Sequence, residues 1–163
     1  MSDNDNTAGE GIVRGDAGYA TFRLEVTVNA PKDTVWKTFT DGIDDWWLPS
    51  FHMMGEGSTL NFDVRAGGQL VETQAGGGSL LWGTVQMVTP GSSIYLTGYS
   101  APEWGGPHMT LLSFAFSEVD GATVVALTDS IVGRVDEANL ASLREGWTEL
   151  LENGLKKHVE AAA

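Results

Sequence analysis

Residues 136–158 read DEANLASLREGWTELLENGLKKH, and this stretch decides the fold. Leu140, Leu143, Trp147, Leu150, Leu151 and Leu155 recur mostly at intervals of three and four. That spacing sets an apolar stripe along one side of a long helix, wide enough to cover a sheet. Asp136 suits the N-cap, Glu137 meets the positive helix end, and Lys156, Lys157 and His158 meet the negative one. Two glycines interrupt the pattern. Gly146 and Gly154 each cost about 1 kcal/mol against alanine in a helix interior. Such a cost implies close backbone approach, either to the sheet or to a bound molecule.

Working upstream, the apolar period changes from 3.6 to 2. Residues 21–29 place Phe22, Leu24, Val26 and Val28 on one face of a strand. Leu60, Phe62 and Val64 alternate with Asn61, Asp63 and Arg65. Ala66-Gly67-Gly68 turns the chain into a strand over 69–73, and Gly76-Gly77-Gly78 turns it into another over 80–88. Pro90-Gly91 precedes a strand over 93–99. Strands over 110–119 and 122–132 flank Asp120-Gly121, a dipeptide that favours the two-residue type I′ hairpin. Connections this short allow only antiparallel neighbours, because parallel crossovers need a dozen residues or more. Most of the 21 glycines are therefore expected in turns, not around a phosphate.

Between the first strand and the sheet lies a helical segment. Asn29-Ala30-Pro31 opens it, with Asn29 or Ala30 near the cap and Pro31 where a missing N–H costs nothing. Val35, Trp36 and Phe39 form its buried stripe, and Thr40-Asp41-Gly42 ends it. Residues 43–47 read as a second short helix, stopped by Pro49. It carries Trp46 and Trp47 side by side. Burying each indole is favourable by roughly 2–3 kcal/mol, so the chain must fold something over the pair.

Composition narrows the function. The 163 residues, 42% hydrophobic, suit one domain over 19–163 behind an Asp-, Asn- and Gly-rich tail at 1–18, read as mobile. Nine basic against 22 acidic residues give a net charge of −13, which repels nucleic acid and anionic membrane surfaces. With no cysteine, disulfides, thiolate metal sites and a thiol nucleophile are excluded. No run is long and apolar enough for a membrane span, and the N-terminus shows no basic-then-apolar leader, so a cytoplasmic location is expected. The sequence has no Gly-x-Ser-x-Gly elbow, no Walker-type motif and no Gly-x-Gly-x-x-Gly after a strand. Neither a nucleotide nor any other cofactor is expected.

Several ordered segments carry a resemblance. They are Ala30-Pro31 with Val35-Trp36 and Thr40-Asp41, Trp46-Trp47 before Pro49, and Asp63-Val64-Arg65-Ala66-Gly67-Gly68. Gly83-Thr84-Val85 leading to Pro90, and Gly146-Trp147, continue the series. Over about residues 20–160 the chain resembles the activator-of-heat-shock-protein-ninety-ATPase homologue family, within the START-like (SRPBCC) helix-grip superfamily. The resemblance implies an α+β helix-grip fold: a curved antiparallel sheet of six to seven strands around the long C-terminal helix, with a hydrophobic cavity between them. A shared fold does not choose among functions. Ligand carriage, a polyketide cyclase- or aromatase-like reaction, and activation of a chaperone ATPase all remain open, as does assembly into a homodimer.

In such a fold Trp46, Trp47, Phe51, Trp82, Tyr99, Trp104, Met109 and Trp147 are expected to wall the cavity or close its mouth, where a small hydrophobic molecule would bind. For any one of them, simple core filling is the alternative. Trp104, between Pro102 and Gly105-Gly106-Pro107, reads as part of a lid. Arg65, His108 and Asp129 are the polar candidates. Asp129 shares a strand face with Val125, Leu127 and Ile131, so burial should raise its pKa unless Arg65 or a backbone amide satisfies it. The spacing of His52, His108 and His158 offers no paired imidazoles, and no metal is expected.

Overall fold

The computed structural model describes Gly11, Ile12 and residues 14–163; of the tail expected over 1–18, positions 1–10 and 13 lie outside the described residues. One antiparallel sheet of seven strands forms the body. In chain order the strands are β1 (Gly18–Val28), β2 (Thr59–Phe62), β3 (Gln69–Thr73), β4 (Ser79–Thr89), β5 (Ser93–Ser100), β6 (His108–Val119) and β7 (Ala122–Gly133). Their spatial order is β1-β7-β6-β5-β4-β3-β2. From β2 to β7 each strand returns beside its predecessor, as the short glycine turns require. The β6–β7 turn has Asp120 at φ 53° and Gly121 at φ 80°, the left-handed pair of a type I′ hairpin.

Two helices, α1 (Lys32–Thr40) and α2 (Ile43–Trp46), carry the chain from β1 at one edge to β2 at the other. Pro31, with φ −60° and ψ 148°, is itself the N-cap of α1, one position later than expected. A 3₁₀ turn over Pro49–Phe51 follows α2. Leu60 N–H donates to Asp44 Oδ1 at 2.6 Å and pins α2 to β2. The strand expected to continue through Val64 and Arg65 stops at Phe62; the backbone then bends, with Arg65 N–H bonded to the Asp63 carbonyl.

The terminal rod comprises α3 (Glu137–Glu149), a π-helical segment over Leu150–Lys156, and α4 (Lys157–Ala161). Asp136 caps it as expected, accepting from Asn139 N–H at 2.9 Å. Its two halves differ in burial. Leu150, Leu151, Leu155 and Val159 are buried, whereas no residue of α3 is. The far end is tied to β1 through Asn29 N–H on Glu160 at 2.8 Å and Lys156 on the Thr27 carbonyl. Gly154 explains the tight half. A Cβ there would stand 2.7 Å from the Trp46 carbonyl oxygen, so only glycine lets the rod lie against the end of α2. Below it, Phe39 stacks on Trp46 at 5.5 Å and meets Phe114 at 4.8 Å, the centre of the core.

Candidate functional site: a chamber under the first half of the terminal helix

The loosely packed half of the rod stands over an open chamber of about 310 Å³. Trp47 from the end of α2, Trp82 from β4 and Trp147 from α3 form one continuous wall. Trp47 meets Trp82 edge-on at 5.3 Å and Trp147 at 6.3 Å. Phe51 and Trp104 complete the aromatic lining, with Trp104 exposed at the mouth, while Tyr99 touches only its rim, since its strand position shares the outer face with Met109. Gly146 faces the chamber, where an added Cβ would approach Phe51 Cε1 at 3.4 Å. The Trp104 turn is held to the first turn of α3 by Asn139 Nδ2 donating to the Gly105 carbonyl at 3.0 Å.

Two titratable groups on neighbouring strands enter the same space. Asp129, 2% exposed, lines it from β7. Burial pushes its carboxyl from an ordinary 3.8 up to about 6, opposed by hydrogen bonds from the Thr110 hydroxyl and the Trp147 side chain. These groups, not Arg65 or a backbone amide, satisfy it. His108 lines the chamber from β6, and its Nδ1 is buried without a hydrogen-bond partner. Ser100 and Ser142 add hydroxyls.

Of the residues expected from sequence, Trp47, Phe51, Trp82, Tyr99, Trp104, Trp147, His108 and Asp129 meet here. Three do not. Trp46 lies beneath, packed on Phe39 in the core. Met109 belongs to the opposite face of β6 from His108 and Thr110, as strand alternation dictates, and pairs across strands with Tyr99 and Val132. Arg65 is exposed on the β2–β3 turn, paired with Asp63 at 2.9 Å.

Glu72, a strand carboxylate that the sequence allows to turn toward the cavity, has a role that the sequence did not assign. Fully buried, it accepts from Ser58 Oγ at 2.6 Å, Met54 N–H at 2.8 Å, Trp82 Nε1 at 3.0 Å and Met53 N–H at 3.1 Å. Burial alone would raise its pKa, but those four donors outweigh it and hold the carboxyl below its ordinary value. One carboxylate thus orients an indole of the wall and fastens the 52–58 loop at the chamber mouth. The available signal was its period-two match with buried Leu70. Among the described residues, no group of three or more His, Asp or Glu side chains could hold a metal ion, and no helix is long and apolar enough to cross a membrane.

No match is found among the curated proteins. Among solved structures, a protein from Rhizobium loti is 25% identical, with 85% of this chain and 96% of that one covered at a TM-score of 0.66. An uncharacterized protein from Rhizobium leguminosarum is 19% identical over 90% and 97% of the two chains, also at 0.66. The Aha1 dimer from Colwellia psychrerythraea, solved in solution, is 19% identical over 86% and 96% at 0.62. These likenesses show the fold. A family model matches residues 29–160, four-fifths of the sequence, and with the helix-grip architecture it gives the assignment: the chain belongs to the family described as Activator of Hsp90 ATPase homolog 1-like protein.

Proposed function

We propose that this protein is a cytoplasmic binder of a small hydrophobic, largely aromatic molecule, held in the chamber beneath α3. The observation that carries the reading is the unfilled space itself: about 310 Å³ walled by Trp47, Trp82 and Trp147 with one buried carboxyl. That volume falls at the lower end of the ~300–1,000 Å³ of small-molecule sites. Affinity comes from burying apolar surface against indole, and orientation from Asp129 and His108. A panel of fatty acids, sterols, flavonoids and polyketide-like aromatics tests it by tryptophan fluorescence and thermal shift. At least one class should quench the emission and raise the melting temperature, because a ligand that binds only the native state stabilises it. A silent panel in both measurements defeats the reading.

A second reading, pairing with another copy of the chain, is favoured by the outer face of the sheet. Tyr19, Val132, Met109 and Tyr99 are successive cross-strand partners over β1, β7, β6 and β5. Tyr19 is 79% and Tyr99 73% exposed, and Leu111 extends the stripe. Contiguous apolar surface of this kind marks contact sites, and the solved Colwellia psychrerythraea neighbour is a dimer. Sedimentation equilibrium should show a dimer that Tyr19→Lys dissociates. A monomer at every concentration ends this reading and leaves the chamber untouched.

A further inference from the structure

Resting on the chamber as a ligand site, we propose that its ligand is a protonated amine on an aromatic or other apolar body, its ammonium set against Asp129.

The charge of the lining carries the argument. The titratable groups around the chamber are Asp129, His108 and Tyr99, with no lysine or arginine among them. A ligand carboxylate or phosphate would therefore meet a buried carboxylate and no cation. Among the described residues Asp129 has no ion-pair partner. Its hydrogen bonds come from neutral groups, Thr110 and Trp147, which leave a buried charge without a countercharge. An ammonium supplies the missing one. The walls suit the same ligand. Aromatic faces attract cations through the ring quadrupole, and Trp47, Phe51, Trp82, Trp104 and Trp147 line this space. At the scale of the whole protein, the charge of −13 draws cations toward the surface and repels anions.

The test uses three nearly isosteric probes on the full chain at pH 7.5: 2-naphthylmethylamine, 2-naphthylmethanol and 2-naphthoic acid, titrated calorimetrically. The amine should bind at least about tenfold more tightly than the alcohol, as a charge-assisted hydrogen bond exceeds a neutral one, and the acid most weakly of all. Asp129→Asn should bring amine and alcohol to the same affinity. Equal binding of amine and alcohol to the wild-type chain, or preference for the acid, overturns the amine inference while leaving the chamber reading in place. Failure of all three probes to bind also overturns the amine inference, and the chamber reading is then decided by the wider panel above. The wild-type comparison decides the matter even if the variant does not fold.

Discussion

At the residue scale, Asp129 and Glu72 show one carboxyl chemistry driven in opposite directions. Both are buried, yet Glu72 collects four donors and is held below its ordinary pKa, whereas Asp129 is pushed up to about 6. Asp129 is the more heavily desolvated of the two and receives two donors against the four that favour charged Glu72. The consequences for stability follow by linkage. Between about pH 4 and 6 the native protein holds a proton on Asp129 that the unfolded chain has released, so this group's contribution weakens as pH rises through that window. Above it, ionised Asp129 costs up to about 3 kcal/mol. Chemical denaturation of Asp129→Asn should thus show a stability, relative to wild type, that improves between pH 4.5 and 7.5. A constant difference would mean that the carboxyl does not titrate in that range. Glu72 acts with the opposite sign: its contribution is present above its unfolded pKa and is lost as pH falls through the lower folded value.

At the element scale, the terminal rod divides its labour. The π-helical turn lies where the tightly packed half begins, and it brings Leu150, Leu151 and Leu155 together onto the sheet. Its extra residue per turn permits side chains at i, i+1 and i+5 to share a face that an α-helix would separate. Upstream, α3 buries nothing fully and roofs the chamber instead. The two glycines should separate these roles. Gly154→Ala drives a Cβ into the Trp46 carbonyl and should lower stability by about 1–3 kcal/mol despite better helix propensity. Gly146→Ala meets only the edge of Phe51 and gains about 1 kcal/mol of propensity. Urea unfolding of both variants checks this pair; equal effects would show that the two halves of the rod are packed alike.

At the scale of the whole molecule, the acidic surface and the apolar outer stripe act against each other. Two copies with a charge of −13 repel at low ionic strength. If the outer stripe pairs them, added salt should strengthen dimerisation, and sedimentation in 50 mM against 500 mM salt reads that sign. Much of the fold was legible from local chemistry. The rod, its Asp136 cap, the Asp120-Gly121 hairpin and the stop at Pro49 each follow from neighbouring residues, which is why they appear within a residue or so of their expected positions. Period two also placed Asp129 on the buried face. What local pattern could not supply was how far the rod stands from the sheet. The stripe from Leu140 to Leu155 is uniformly apolar, but Gly154 seats one half against α2 while Trp147 and Gly146 face empty space in the other. Trp46 and Trp47 are adjacent and chemically identical, yet one fills the core and the other walls the chamber. Chain periodicity determines which residues face inward; only the meeting of α2, β4 and α3, distant in sequence, decides whether that interior is packed or open.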